Sequence, residues 1–229
     1  GDLTIIIGIG YPGVTLAWGN VLGLLVLFAL YRLGLVSVPA AGIWLSEFLA
    51  GADVHPLPYY VSGRVVTALL VTALLLVYYS LARRLFTSEG QVWGGVALLS
   101  VLLLALDPYV LGYSRLMHIA APLALFMLLA VMAWLLWLRE GKKHWIVLTG
   151  LFGGLAILTK STALLLAPIL LVLALLAWLI EGPVSERTRS VRWAWLGRTF
   201  LGWLVAIGIA ALVFFLLWPA VWLDPQAAL

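Results

Sequence analysis

Six apolar runs, at residues 62–82, 93–107, 117–138, 145–158, 162–180 and 199–221, leave this chain very few possible folds. A helix needs about 20 residues, at 1.5 Å each, to cross the hydrocarbon core of a bilayer. Four of the runs reach or approach that length. The runs at 93–107 and 145–158 are short, which predicts helices whose ends lie inside protein or in a cavity. The chain is 65% hydrophobic and only 10% charged, whereas a soluble domain is about half apolar and a quarter charged. The expected fold is therefore all-α: a polytopic integral membrane protein with six transmembrane helices, forming one transmembrane domain over residues 1–229. Twelve Trp and eight Tyr suit many membrane–water boundaries.

The loops between the runs carry an orientation. Arg83 and Arg84, then Arg139, Lys142 and Lys143, then Arg187, Arg189, Arg192 and Arg198 fall on every second loop. The positive-inside rule makes those loops cytoplasmic. The segments 107–115 and 159–161 and the tail after Trp222 are then external. A further apolar segment, 14–36, is either a seventh span or an external juxtamembrane helix. The Gly/Pro-rich stretch 34–58 around its end suggests broken, interfacial structure. The Arg-rich segment 181–198 reads as a cytoplasmic loop. The net charge of +4 comes from these flanking loops rather than from a basic face, so nucleic acid is not an expected partner.

Lys160 stands out within this frame, as a lone cation between two apolar runs with no acidic residue within twelve positions in sequence. An ionisable group at the bilayer centre costs about 2.5–3.5 kcal/mol on insertion scales, so such a residue belongs at an interface or in a wet cavity. Arg64, Arg115 and His118 are expected on the same external side. The spacing of the last two predicts a shared helix face. Cations gathered at helix ends can hold a phosphate or pyrophosphate at headgroup level. Each has a plainer alternative: Arg64 can snorkel to the interface, Arg115 can pair with Asp107, and His118 can be a boundary histidine. Asp107-Pro108 reads as a helix-ending turn, and Gly153-Gly154 as a site of close helix packing.

Other chemistries find little support. The chain has no Cys, which excludes disulfides, thiolate nucleophiles and Cys-ligated metal sites. His55, His118 and His144 show no ligand spacing, and no Gly-rich nucleotide loop is present. No metal site is assigned and no cofactor is fixed by the residues, with use of a divalent metal left open. A glycosyl transfer needs a carboxylate base; the external candidates are Glu47, Asp53, Asp107 and Asp224, and no catalytic residue is chosen among them.

Several short motifs occur in order along the chain: Tyr11-Pro12-Gly13-Val14-Thr15 with Trp18, Gly63-Arg64-Val65-Val66, Leu106-Asp107-Pro108, Ser114-Arg115-Leu116-Met117-His118, Gly154-Leu155-Ala156-Ile157-Leu158-Thr159-Lys160-Ser161, and Trp218-Pro219-Ala220-Val221-Trp222. Together they resemble the C-type superfamily of membrane glycosyltransferases, in the family 39-like branch that includes protein O-mannosyltransferases and the lipid A aminoarabinose transferase. The resemblance implies inverting transfer of a sugar from a polyprenyl-phosphate-linked donor to an acceptor on the external face. It implies lipid partners, and Lys160 and Arg64 as holders of the lipid phosphate; a plasma-type membrane is the natural expectation for such an external face. It also favours an external position for 14–36.

The chain departs from that pattern twice. The family's first span and acidic external loop are expected to be missing, with Asp2 the sole acid before Tyr11. Ala120 stands where the pattern has Asp. These departures support an alternative, a non-catalytic scaffold subunit packed with other membrane subunits. A transporter or flippase would explain the cations but lacks the internal symmetry common in transporters.

Overall fold

The computed structural model describes residues 13–39, 41–88, 91–92, 94–116, 118–181 and 189–218. Helix α1 (Val14–Arg32) is followed by α2 (Leu45–Val54) and the 30-residue α3 (Leu57–Phe86). A two-residue antiparallel ladder, Thr87–Ser88 with Gln91–Val92, leads to α4 (Gly94–Leu106) and α5 (Pro108–Arg115). Next come α6 (Ala120–Glu140), α7 (Lys143–Thr159), a 3-10 turn (Ser161–Leu165) continuing into α8 (Leu166–Glu181), and α9 (Arg189–Leu217). The protein is an all-α integral membrane protein. Among the described residues, five helical segments are long and apolar enough to cross a membrane, and α4 with α5 makes a sixth if that bent pair counts as one span.

The central helix is α6. Leu125, Leu129, Ala133, Trp134 and Leu136 are all at or below 1% exposure, and α3, α5, α7 and α8 pack around it. Gly141 ends α6 with φ 68° and donates its N–H to the Trp137 carbonyl at 2.8 Å. A residue without Cβ adopts that left-handed cap at no steric cost. The chain can thus turn within Gly141–Lys142 and start α7 antiparallel to α6.

The closest helix pair is α7 with α9. Gly150 and Gly154 lie one turn apart on α7 and face Ala206, Ile209, Ala210 and Val213 of α9. Small residues at a membrane helix interface let backbones approach, which matters where no hydrophobic drive separates helix from lipid. Close packing at Gly154 was expected. Gly150, four residues earlier, supplies the other half of the seam.

One end of the bundle is basic. Arg139 donates to the Leu85 carbonyl at 2.7 Å, the Arg84 guanidinium sits 5.4 Å from the Trp145 ring, and Lys142 pairs with Glu140 at 2.8 Å. Arg198 of α9 reaches Gly141 at the same end. The Thr159–Ser161 turn closes the opposite end. Arg84, Arg139, Lys142 and Arg198, four of the cations in the alternating pattern, thus gather at one end of the bundle.

Two expectations need correction. The segment 107–115 is not an open loop: Asp107 ends α4, and its carboxylate then accepts from the N–H groups of Tyr109 (2.9 Å) and Val110 (3.1 Å), capping α5 with Pro108 at its first position. The two helices meet at 55°. Nor do Arg115 and His118 share a helix face, because Arg115 is the last residue of α5 and His118 lies before α6 begins. The run at 145–158 is helical but, at 17 residues in α7, short of a full crossing. Residues Asp2, Tyr11, Pro12, Trp93, Met117, Arg187, Asp224 and the stretch 219–222 lie outside the described residues.

Helix α1 runs antiparallel to the first half of α3: Gly19 faces Val66 and Gly23 faces Ser62 and Val66. Its far end joins a small separate core in which Phe48 of α2 is fully buried among Phe28, Tyr31 and Tyr59. Tyr59 donates its hydroxyl to the Phe48 carbonyl.

Candidate functional site

Lys160 occupies a break between two helices. Its N–H still bonds to the Ala156 carbonyl at 2.9 Å, so it caps α7, but its backbone is extended at φ −160°, ψ 137°. Its carbonyl then accepts from Ala163 at 3.0 Å to start the 3-10 turn. The break makes the lysine project from a corner instead of along a helix face. Thr159 beside it is fully buried and hydrogen-bonded to the Leu155 carbonyl and to Thr15, each at 2.7 Å.

Arg64 lies in the second turn of α3, exposed. On a 3.6-residue wheel it falls beside Val71 and away from the Ser62–Val66 face that meets α1. Arg115 is exposed at the end of α5. Among the described residues no hydrogen bond or ion pair holds the Lys160 ammonium or either guanidinium. The pairing of Arg115 with Asp107 is not found: Asp107 caps the start of α5 and Arg115 is its last residue, a helix length away.

His118 is partly committed. Its Nδ1 accepts the Ala120 N–H at 3.1 Å, satisfying one of the free donors at the start of α6. An accepting Nδ1 carries no proton, so the neutral ring bears its hydrogen on Nε2, which stays free to donate. The ring packs on Tyr113 at 4.5 Å, and Tyr113 on Tyr109 at 4.5 Å. The i, i+4 spacing of those tyrosines was a readable signal for this ladder. No direct bond joins the four residues. Arg115 and His118 flank one corner, Lys160 forms another, and Arg64 lies on α3, which packs on α5.

Two apolar cavities lie in the bundle. One, of about 760 Å³ between α7, α8 and α9, starts at Ser161 immediately after Lys160 and reaches Trp218 at the end of α9. The other, of about 990 Å³, lies between α1 and α3. None of the four candidate residues lines either. Among the described residues no cluster of three His, Asp or Glu is placed to hold a metal ion. Of the carboxylates considered as a base, Glu47 is the acceptor for the Trp44 N–H at 3.4 Å in the α2 cap, while Asp53 is exposed near the end of α2.

The residue overlooked in sequence is Thr15. A hydroxyl in the first turn of an apolar helix was visible, but its partner 144 residues away was not.

A bundle of long apolar helices, with basic side chains gathered at the α6–α7 end, is that of an integral membrane protein. The sequence profile described as dolichyl-phosphate-mannose-protein mannosyltransferase matches residues 59–218. That covers well over half of the chain, which therefore belongs to this family of membrane glycosyltransferases. No curated protein and no solved structure matches the chain.

Proposed function

We propose that this protein transfers a sugar from a polyprenyl-phosphate-linked donor to an acceptor on the external face of a cell membrane. Lys160, Arg64, Arg115 and His118 then serve as the groups that hold the lipid phosphate. The observation that carries this reading is Lys160: an ammonium with no partner among the described residues, one position before a cavity lined mostly by apolar side chains. Lys160 does not itself line that cavity, but its neighbour Ser161 does, and a cation next to an apolar cavity would complement an amphiphile with an anionic head.

The acceptor hydroxyl attacks the anomeric carbon and gives up its proton to a base. The bond to the phosphate oxygen breaks, and polyprenyl phosphate leaves with inversion at the sugar. Negative charge grows on the departing phosphate, so fixed donors around it stabilise the transition state more than the ground state. Hydrogen bonds to charged groups contribute about 1.5–3 kcal/mol. Lys160→Ala should therefore raise the donor KM or lower kcat/KM by about 10- to 150-fold while the fold survives. Transfer from a polyprenyl-phosphate sugar that is untouched by this change removes Lys160 from the site.

On this orientation α1 belongs to the external side. Its first turn touches Thr159, at the external end of α7, and its last turn bonds through Arg32 to the Ile43 carbonyl at 2.7 Å, in the external segment before α2. Helix α3, about 45 Å long at 1.5 Å per residue, exceeds the roughly 30 Å hydrocarbon layer, so its outer turns can stand above it beside α1.

A second reading, a non-catalytic scaffold subunit, is favoured by one observation. Glu47 and Asp107 are used as helix caps, and Ala120 offers no carboxylate. Turnover with any polyprenyl-phosphate sugar defeats that reading. Failure of turnover, together with stable co-purification of other membrane subunits, supports it.

A further inference from the structure

The first turn of α1 fastens two helix ends that lie far from it in sequence. Thr15 Oγ1 is 2.7 Å from Thr159 Oγ1, and Trp18 Nε1 donates to the Leu217 carbonyl at 2.9 Å. The first bond has a direction. Thr159 spends its only hydroxyl proton on the Leu155 carbonyl at 2.7 Å, so it can only accept from Thr15. The chain Thr15 to Thr159 to Leu155 therefore fixes the last turn of α7, the turn from which Lys160 departs. The second bond holds the end of α9 at Leu217. The residues next to the two anchors, Ser161 by way of Lys160 and Trp218, both line the α7–α9 cavity. A valine would fill the Thr15 position as well as threonine does, and a hydroxyl out of water is costly unless it is bonded.

We infer that Thr15 is a positioning residue for the anion site: its hydrogen bond to Thr159 sets the direction in which the Lys160 ammonium points, and Trp18 holds the opposite rim. The inference rests on the reading of Lys160 as the phosphate-holding cation. Its ligand is the anionic head of an isoprenyl phosphate.

The test measures binding of farnesyl phosphate and of farnesol to the full-length protein in lipid nanodiscs, and takes the ratio of the two affinities. General weakening of the fold lowers both affinities, whereas displacement of the cation lowers the phosphate preference alone. Thr15→Val should reduce that preference about 3- to 10-fold, the range an interhelical hydrogen bond in a membrane protein is worth. Farnesol binding should be unchanged. Thr15→Ser, which keeps the donor, should restore the ratio, and Thr15→Val with Thr159→Val should be no worse than Thr159→Val alone. Trp18→Phe, at a half-exposed ring, is the second variant should Thr15→Val fail to fold; it is expected to reduce the preference less. If Lys160→Ala abolishes the preference while Thr15→Val and Trp18→Phe leave it intact, the positioning inference is wrong and the Lys160 reading stands. If Thr15→Ser fails to rescue, the effect is one of packing and the inference is overturned. If Lys160→Ala itself keeps the preference, both fall.

Discussion

Substitution of Gly150 or Gly154 by alanine tests the α7–α9 seam directly. A methyl group placed at Gly150 would lie 2.6 Å from Ile209 Cβ and 2.7 Å from the Ala206 carbonyl oxygen; at Gly154 the distances are 2.7 Å to Val213 Cβ and 2.8 Å to the Ala210 carbonyl oxygen. Ordinary van der Waals contact begins at 3.4 Å. In both cases one obstacle is backbone, which cannot rotate away, so the helices must part by most of an ångström. A gap of 0.5–1 Å forfeits about a quarter to a half of each dispersion well along the contact. Overpacking of this kind costs about 1–3 kcal/mol, while the gain in helix propensity from Gly to Ala returns roughly 1 kcal/mol. Each substitution should leave a net loss of up to about 2 kcal/mol, or a Tm lower by up to about 8 °C for a chain of this size. Gly208 provides the opposite control: it is also inside α9, but a methyl group there meets nothing within 4 Å. Gly208→Ala should keep the propensity gain and raise Tm by a few degrees. The assay is thermal unfolding of the detergent-solubilised protein with a near-ultraviolet signal from its tryptophans. A Tm for Gly150→Ala and Gly154→Ala equal to or above that of Gly208→Ala would refute the argument that backbone approach sets this seam.

Further outcomes are expected elsewhere. Asp107→Ala removes the one carboxylate oxygen that accepts from both the Tyr109 and Val110 N–H groups and should cost about 1 kcal/mol, a Tm fall of about 2–4 °C; Asp107→Asn, also a good cap, should cost much less, and equal losses in the two would deny the cap its role. Since the chain contains no cysteine, single cysteines report topology without background. Gly13→Cys and Ser161→Cys should react with an impermeant maleimide from one side of the membrane and Lys142→Cys from the other, and a Gly13 site that labels with Lys142 would make α1 a full crossing. Arg139→Ala deletes the bond to the Leu85 carbonyl and should loosen the end of α3, read as faster amide exchange confined to its last turn; uniform exchange throughout α3 would contradict that link.

The sequence disclosed the helices far better than their faces, and membrane physics explains the difference. Length and apolarity are enough to locate a helix in lipid, because every backbone polar group must be satisfied within it. The faces leave no comparable trace: Leu99 and Leu103 of α4 are largely exposed, whereas Leu125 and Leu129 of α6 are buried, yet all four are leucines in apolar runs. In water the buried side of a helix is its apolar stripe. In lipid both sides are apolar, and the distinguishing signs become small residues and hydroxyls. Gly154 was legible for that reason.

The α5 helix was missed on different grounds. Eight residues bounded by Asp107-Pro108 and broken after Arg115 look like a turn until the aspartate is recognised as the N-cap of α5 rather than only the stop of α4. That single reassignment moves Arg115 to a helix end and His118 into the next junction, so their three-residue spacing carries no geometric meaning. Lys160 survives the same scrutiny because its signal never depended on periodicity. A charge between two apolar runs must sit where the runs end, and the structure places a helix break there. What the sequence withheld was the support behind it. The partner of Thr159 lies 144 residues away, and no local pattern encodes a hydrogen bond across that separation. A threonine in an apolar helix says only that a partner exists, since the hydroxyl would otherwise be left unbonded in lipid. Each hydroxyl in such a helix therefore carries a question of pairing. At Thr67 and Thr149 the answer is local, a carbonyl four residues earlier in the same helix. At Thr15 the answer is another helix, and it stands beside the cation that interrupts the apolar sequence between α7 and α8.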